Sequence, residues 1–137
     1  QKDFRARLER ENERRFEAER GKIALHIVQV SDELERALAA SQDDQGPLAK
    51  GMRLIGENLA KTLASMGLER LVVVGQPFDP NLAEAVDLVP VQDPASDGHV
   101  VAEVAAGFRL GGKVLRAAKV RVAKHVPVAP ADPPSGE

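Results

Sequence analysis

The sequence lacks most of the side chains on which cross-linking and redox chemistry depend. Its 137 residues include no cysteine, no tryptophan and no tyrosine, and its aromatic residues are four phenylalanines. The absence of cysteine excludes disulfides, thiolate nucleophiles and cysteine-based metal sites. Because four phenylalanines are too few to anchor a large globular core, we expect aliphatic side chains to pack along narrow helical seams.

Polar groups suited to a catalytic or metal site are scattered through the sequence. The three histidines, His26, His99 and His125, lie in separate segments without metal-ligand spacing. The acidic residues are dispersed over predicted helix faces and loops, and no arrangement of serine, histidine and aspartate is suggested. We therefore predict that the chain is not an enzyme and uses no metal ion and no cofactor.

The overall charge and the hydropathy argue against two further classes of partner. A formal net charge of −2 does not require a nucleic acid or an anionic membrane as a partner. No apolar run approaches the roughly 18 residues that span a bilayer, and no signal peptide is evident. We expect a cytoplasmic protein that binds neither nucleic acid nor membrane.

The N-terminal part of the sequence has a long helical pattern. Residues 1–22 are almost wholly charged, and no strong helix breaker separates them from an apolar stripe that begins at Ile23. The stripe advances in alternating steps of four and three residues, which is typical of a coiled coil or helical bundle. We predict one helix over residues 1–40, about 60 Å long at about 1.5 Å per residue.

A polar break separates this helix from a shorter one. Residues 42–47 form the break, and Pro47 suits the first turn of a helix. A second apolar stripe runs from Leu48 to Met66, and Gly67 follows as a C-cap. Two such helices leave aliphatic surface uncovered, so we predict a homodimer in which two hairpins merge into a four-helix bundle. The residues predicted for the dimer core are Ile23, Ile27, Val30, Leu34, Leu38, Met52, Ile55, Leu59 and Leu63.

Beyond Gly67 the helical spacing gives way to short β-type runs. Leu71–Val74 has the character of a buried strand, and the pair Gly111-Gly112 predicts a tight hairpin turn. The other predicted strands are Leu82–Val86, Leu88–Val91, Val100–Ala105, Phe108–Leu110 and Lys113–Lys124. The predicted class is therefore α+β. The predicted domains are a helical dimerisation domain over 1–67, a small antiparallel β domain over 68–125 and a disordered proline-rich tail over 126–137.

One segment imitates a phosphate-binding loop. Residues 107–113, Gly-Phe-Arg-Leu-Gly-Gly-Lys, match the first seven positions of a P-loop, but Val114 stands where Ser or Thr would hold magnesium. The residues that follow favour a strand, whereas a P-loop opens a helix. We interpret the segment as a hairpin and predict that the chain binds no nucleotide.

A run of basic residues near the C-terminus admits two interpretations. It either contacts an anionic partner or keeps the exposed face of an edge strand soluble. The pattern does not decide between the two. The run consists of Lys113, Arg116, Lys119, Arg121 and Lys124.

Three stretches carry an ordered set of short motifs. Residues 75–86 contain a Pro-Phe-Asp-Pro turn that is followed by Asn-Leu-Ala-Glu-Ala-Val. Residues 107–124 join Gly-Phe-Arg-Leu-Gly-Gly-Lys to a Val-Arg-Val-Ala-Lys finish, and residues 34–38 are Leu-Glu-Arg-Ala-Leu. In sequence, order and separation these motifs resemble those of the GrpE family, over about residues 3–125.

The chain departs from the pattern of that family at four positions. Ala83 stands where the family usually has His, and Phe108 where it has Tyr. Gly111 replaces the hairpin Asn, and Lys113 replaces the hairpin Arg. Phe108 and Gly111 preserve the packing and the turn. Lys113 keeps the charge but lacks the planar fork of Arg, which weakens a contact with a carboxylate.

The resemblance implies a nucleotide exchange factor that acts in protein folding and the heat-shock response. Members of the family bind the nucleotide-binding domain of a DnaK-type chaperone as homodimers, open its cleft and promote release of ADP. The residues alone leave two alternatives open, in which Phe78 is a core residue that pins its turn and Arg36 is a surface charge of the long helix. The alternative function is a dimeric coiled-coil scaffold whose β head binds another protein or nucleic acid. The contact residues that the resemblance implies are Phe78, Pro80, Asn81, Lys113, Val122 and Arg36.

Overall fold

The computed structural model describes residues 2–127, which form two helices followed by short strands. The predicted α+β class is confirmed. Residues 128–137 of the predicted tail lie outside the described residues. The helices are α1 (Lys2–Ala40) and α2 (Pro47–Ser65), and the strands are β1 (Leu68–Arg70), β2 (Ala83–Val91), β3 (Val100–Ala105), β4 (Phe108–Leu110), β5 (Lys113–Arg116) and β6 (Ala118–His125).

The two helices begin and end where the sequence signals predict. The first helix is continuous over 39 residues, and α2 has Pro47 in its first turn, where the missing N–H costs no helical hydrogen bond. The α2 helix ends before Gly67, which has a φ of +90° and donates its N–H to the carbonyl of Ala64 at 3.0 Å. Glycine suits this position because its backbone adopts a positive φ more easily than that of a residue with a side chain.

The contacts within the chain divide it into two compact units. The helical unit contains the residues up to Leu71 together with Ala106–Ala117, and the sheet unit contains Val72–Ala105 and the residues from Ala118 onward. Strands β1, β4 and β5 therefore group with the helices. The domain division predicted after residue 67 stays a prediction, and the contact pattern assigns part of the β segment to the helical unit.

In the helical unit, a small antiparallel sheet packs against α1 and α2. The strand order is β1-β4-β5. Gly111 and Gly112 have φ angles of +57° and +89°, which is the backbone that the predicted two-residue hairpin requires. Aliphatic side chains from both helices and the sheet close the core, together with one aromatic ring. These residues are Ala24, Val28, Leu63, Leu68, Ala106 and Phe108.

The sheet unit contains a three-stranded sheet of mixed direction. Its order is β2-β6-β3, with β6 in the centre. The β3–β6 pair is antiparallel, as predicted, but the β2–β6 pair is parallel. The prediction of antiparallel pairing is wrong for that pair, because the long connection between β2 and β6 lets the chain return in the same direction. The buried core of this unit is Val73, Ala83, Val100, Ala118, Val120, Val122 and Ala123.

Four of the predicted strands are corrected by the structure. Leu71–Val74 is not a strand. Leu71 is the last residue of the first segment of the helical unit, and its N–H donates to the carbonyl of Gly107. Val72 is the first residue of the sheet unit. Lys113–Lys124 is two strands that belong to different sheets and separate at Ala117. The predicted strands Leu82–Val86 and Leu88–Val91 are replaced by the single strand β2, which begins at Ala83 and has an irregularity between Ala85 and Asp87.

Candidate partner-binding surface

The turn over residues 77–82 presents two of the predicted contact residues to solvent. Asp79 organises it: its Oδ1 accepts the N–H of Asn81 at 2.9 Å, and its carbonyl accepts the N–H groups of Leu82 and Ala83 at 3.0 Å each. Pro fixes φ at the next position, so the turn is locally stiff. As a result, Pro80 and Asn81 are exposed on a preorganised turn.

Phe78 lies at the base of the same turn. Its N–H donates to the carbonyl of Gly98 at 2.8 Å, which ties the turn to the segment before β3. The ring is half-buried and lines an open groove of about 580 Å³ within the sheet unit. The predicted roles of Phe78 as packing residue and as contact residue are therefore compatible. The groove is lined by Val72, Gln76, Pro77, Phe78, Asp79, Pro80 and Leu82.

The remaining predicted contact residues differ in accessibility. Val122 is only 6% exposed, so its side chain supports the β6 strand and is not available at the surface. Arg36 is exposed on α1. Lys113 stands directly after the Gly-Gly turn, its side chain is 84% exposed, and its Nζ lies 3.6 Å from Oε2 of Glu17. Arg36 and Lys113 belong to the helical unit, whereas Phe78, Pro80 and Asn81 belong to the sheet unit.

The residues predicted for the dimer core face in two directions. Ile23, Val30 and Ile55 are exposed to 60%, 61% and 60%. With Phe16, which is 67% exposed, Ile23 and Val30 form a stripe that repeats every seven residues along α1. We call Phe16, Ile23 and Val30 the open stripe. Nothing in the described part of the chain buries these side chains.

The other predicted core residues are partly or fully covered within the chain itself. Leu34 and Leu38 lie against Gly56 of α2, where the missing side chain lets the helices approach closely. Ile27 and Leu59 pack on the core of the helical unit, and Leu63 is inside it. Met52 is half-buried. The single seam predicted on α1 is therefore divided between an internal face and an open one.

The most deeply buried residues of α1 were not among those predicted for the core. Ala24 and Val28 are 6% and 0% exposed, and both belong to the core of the helical unit. They lie four residues apart, one position beyond the apolar stripe. That spacing was the available signal, but Ala is too small and too common in helices to mark a buried face by itself.

An ion pair that the sequence did not predict joins β5 to α1. Nη1 and Nη2 of Arg116 donate to Oδ2 and Oδ1 of Asp32 at 2.7 and 2.9 Å. The hydrogen bonds from Arg116 are the main cause that holds the pKa of Asp32 below its ordinary value. The positive charges of Arg116, Arg36 and Arg70 act in the same direction, and partial burial opposes them. Asp32 therefore stays ionised to lower pH than a free aspartate.

The structure separates the predicted basic run into different environments. Arg116 is turned toward Asp32, and Lys113 is at the hairpin. Arg121 lies in the central strand of its sheet, 3.8 Å from Asp87, and Lys119 stands beside Glu84 in the β2–β6 register. The interpretation of an edge strand is wrong for the residues on β6, because β6 has a neighbour on each side, but β5, which carries Lys113 and Arg116, is at the edge of its sheet. In the sheet unit, these acidic neighbours offset part of the positive charge of Lys119 and Arg121.

Residues 2–127 can be assessed for a metal site and for a membrane-spanning helix. No group of three or more His, Cys, Asp and Glu side chains in this range is arranged to hold a metal ion. Across the same residues, neither helix combines the length and apolar character that crossing a bilayer requires.

Comparison with known proteins gives a consistent result. The family model described as GrpE matches residues 1–124. Protein GrpE from Synechococcus sp. (strain JA-2-3B'a(2-13)) is 37% identical over 136 residues, which cover 97% of this chain and 57% of that protein. Protein GrpE from Staphylococcus haemolyticus (strain JCSC1435) is 34% identical over 125 residues, which cover 88% and 58%. Protein GrpE from Limosilactobacillus reuteri (strain DSM 20016) is 38% identical over 134 residues, which cover 90% and 70%.

These matches cover most of this chain but only part of each relative. The chain spans between 57% and 70% of the length of these three relatives. The family match includes all of α1 and reaches into the final strand, so it covers most of both units. On this match, the chain belongs to the GrpE family.

Proposed function

We propose that the chain is a nucleotide exchange factor for a DnaK-type chaperone. It binds the nucleotide-binding domain of the chaperone and favours the conformation in which the nucleotide cleft is open. ADP then dissociates faster, and the chaperone is free to bind ATP. The chain itself binds no nucleotide and catalyses no bond-making step.

The physical requirement for this activity is a difference in affinity. A factor shifts a conformational equilibrium only as far as it binds one conformer more tightly than the other. Each tenfold loosening of ADP requires about 1.4 kcal/mol of preference for the open conformer. By linkage, ADP must weaken binding of the factor to the same extent. The exchange factor and ADP therefore compete without sharing a site.

The observation that carries the proposal is the organised turn over residues 77–82. This turn is the part of the chain that resembles the Pro-Phe-Asp-Pro motif of the family. Asp79 fixes its backbone, and the fixed backbone leaves Pro80 and Asn81 exposed beside the Phe78 groove. A preformed turn binds with less loss of conformational entropy than a flexible one. We propose Phe78, Pro80 and Asn81 as contacts from the sheet unit, with Lys113 and Arg36 as contacts from the helical unit. Val122 supports the strand from within.

We further propose that the chain acts as a homodimer. The open stripe supports this proposal, because a heptad repeat of three large apolar side chains, each at least 60% exposed, is the pattern that a second helix covers in a coiled coil. Ile55 on α2 adds apolar surface that its own chain leaves exposed. Two copies of α1 aligned along this stripe would remove these side chains from water.

A binding experiment tests the proposed function directly. The purified nucleotide-binding domain of a DnaK-type chaperone is immobilised without nucleotide or with saturating ADP, and binding of the chain is measured on both. We expect tighter binding to the nucleotide-free domain. The variant Asn81→Ala should weaken that binding, since its side chain is exposed and the hydrogen bond to Asp79 comes from the backbone. The matched control is Gln92→Ala, at an exposed position of the same unit. Equal binding to both forms would refute the proposal.

A further inference from the structure

Within the helical unit, strand β5 is held by strand pairing on one side only. It is four residues long and lies at the edge of the β1-β4-β5 sheet. Its register with β4 is irregular between Phe108 and Arg109, and its other edge has no strand partner among residues 2–127. Side-chain contacts must therefore contribute to holding β5 in place.

The contacts of β5 with α1 fall on one face of that helix. Residues 17, 21 and 32 lie within about 60° of one another around the axis, because an α-helix turns by about 100° per residue. Cδ1 of Leu115 is 3.5 Å from the place that a Cβ of Gly21 would take, so the strand comes close to the helix there. The three contacts are Lys113 with Glu17, Leu115 with Gly21, and Arg116 with Asp32.

The two ion pairs among these contacts differ in how well they fix the strand. The side chains of Lys113 and Glu17 are 84% and 62% exposed, and their charged atoms are 3.6 Å apart. Exposed pairs of this kind contribute little. The side chains of Arg116 and Asp32 are 27% and 26% exposed, and the guanidinium binds both carboxylate oxygens. A bidentate, partly buried pair holds a fixed geometry better.

The same guanidinium also closes the β4–β5 segment, which runs from Ala106 to Ala117. Nε and Nη2 of Arg116 donate to the carbonyl oxygen of Ala106 at 2.9 and 2.5 Å. Its Cζ lies 5.6 Å from the centroid of the Phe108 ring, which belongs to the core of the helical unit. Arg116 thus joins the end of β5 to α1 and to the buried start of its own hairpin.

We propose that Arg116, held by Asp32, is a positioning residue that fixes β5 and thereby sets where Lys113 stands on the helical unit. Lys113 is the first residue of β5 and Arg116 the last, so fixing one end limits the position of the other. The turn before Lys113 is held from the opposite side, because the N–H of Gly111 donates to the carbonyl of Gly67 at 3.0 Å. A charge held in place loses less conformational entropy when it binds. This inference rests on the proposed function, in which Lys113 contacts the chaperone and Arg116 does not.

A double-mutant cycle tests whether the pair acts through Lys113. The concentration of the chain that gives half-maximal ADP release is measured for wild type, Asp32→Asn, Lys113→Gln and the double variant. We expect Asp32→Asn to raise it roughly two- to threefold in wild type and to add nothing in the Lys113→Gln background. An equal effect of Asp32→Asn in both backgrounds, or no effect in wild type, would overturn the proposal. A general loss of folded protein produces the first of these results, because it does not depend on Lys113.

Two further variants separate the geometry of the pair from its charge. Arg116→Lys should act in the same direction as Asp32→Asn, since Lys keeps the charge without the fork. Glu19→Gln is the matched control, because it removes a carboxylate of the same helix whose partner, Lys22, also lies in α1. It should behave as wild type. If Glu19→Gln raised the half-maximal concentration as much as Asp32→Asn does, loss of any acidic charge from α1 would suffice and the proposal would fail.

Amide hydrogen–deuterium exchange tests the fixation of β5 in the absence of the chaperone. Wild type and Asp32→Asn are compared over peptides that cover β4–β5 and α2, at a temperature where their circular dichroism is the same. We expect faster deuterium uptake in β5 of Asp32→Asn and unchanged uptake in α2. Unchanged uptake in β5, or equal acceleration in both peptides, would overturn the inference. If wild type fails to accelerate ADP release, the proposed function fails instead, and deuterium uptake still tests whether the pair fixes β5.

Discussion

At the scale of single residues, two aspartates organise the regions on which the account depends. Asp79 holds the turn that exposes Pro80 and Asn81. Asp32 holds Arg116 and, through it, the ends of the β4–β5 segment. The Asp79 carboxylate accepts one backbone N–H, while its carbonyl oxygen accepts two more, and the Asp32 carboxylate accepts two N–H groups of Arg116. Neither touches a partner in the proposed mechanism, but Asp79 fixes the backbone of residues that do.

The pKa of Asp32 gives the first prediction. Because the folded state lowers this pKa, the stabilisation is fully present above the unfolded value, near pH 4, and is lost as pH falls through the folded value. Asp32→Asn should therefore lower the melting temperature at pH 7 and lower it much less near pH 2. Comparing the gap between the two proteins cancels the titration of other carboxylates. A gap that stays constant from pH 7 to pH 2 would contradict the role of this charge.

The departure from the family pattern at Lys113 gives the second prediction. Arg binds a carboxylate with a planar fork, whereas Lys offers a point charge. We expect Lys113→Arg to lower the half-saturating concentration in ADP release by roughly two- to fivefold, in keeping with exposed ion pairs of up to about 1 kcal/mol. Lys113→Gln should raise it. Lys124→Arg is the matched control at an exposed site on β6. No difference between Lys113→Arg and Lys113→Gln would exclude a charged contact at this position.

At the scale of elements, local signals were predictable and distant pairings were not. Pro47 and Gly67 mark the two ends of α2, because their backbone preferences act within one helical turn. The Gly111-Gly112 hairpin was predictable for the same reason. The parallel β2–β6 pair and the division of Lys113–Lys124 at Ala117 depend on which strands meet, and no short-range pattern specifies this.

The candidate site shows the same division. The exposed turn around Pro80 was recognisable from a motif, because its geometry is set by neighbours in sequence. The Arg116–Asp32 pair joins residues 84 positions apart, so the sequence around either residue gives no indication of the other. In the sequence, Arg116 was one member of a basic run. Only the packing of β5 on α1 distinguishes it from its neighbours.

The continuity of α1 leads to the third prediction. Gly21 lies inside this helix, and a Cβ there would be 3.5 Å from Cδ1 of Leu115, which is ordinary van der Waals contact. Gly21→Ala should therefore raise the free energy of unfolding by about 1 kcal/mol, since Gly is the poorer helix former. Gly51→Ala in α2, where a Cβ would meet nothing within 4 Å, is the matched control and should show a similar gain. A loss of stability in Gly21→Ala alone would mean that the hairpin requires Gly at this point.

The open stripe leads to the fourth prediction, which concerns assembly. Val30→Asp places a charge in the proposed helix–helix contact, and burying it in both copies should weaken the dimer by roughly 3 kcal/mol or more, about a hundredfold in Kd. Ala18→Asp, at an exposed position of α1 outside the stripe, should leave Kd nearly unchanged. Sedimentation equilibrium over a range of concentrations measures both. A monomeric wild type, or equal weakening by the two variants, would contradict the proposed interface.

At the scale of the whole molecule, the two units have separate tasks in the proposed mechanism. The helical unit supplies the apolar stripe for assembly and the charged contacts Arg36 and Lys113. The sheet unit supplies the turn with Phe78, Pro80 and Asn81. In the proposed mechanism both sets of contacts act on one partner. The segment that imitates a P-loop carries Lys113 after its turn and supplies Phe108 to the core of the helical unit.

The most direct test of the central claim is the release of a fluorescent ADP analogue from a DnaK-type chaperone. The preloaded chaperone is mixed rapidly with excess unlabelled nucleotide and increasing amounts of the chain. The account predicts a release rate that rises with the concentration of the chain and then saturates. Asn81→Ala should require a higher concentration, while Gln92→Ala should behave as wild type. A release rate that does not change at a stoichiometric excess of the chain would contradict the claim that it is an exchange factor.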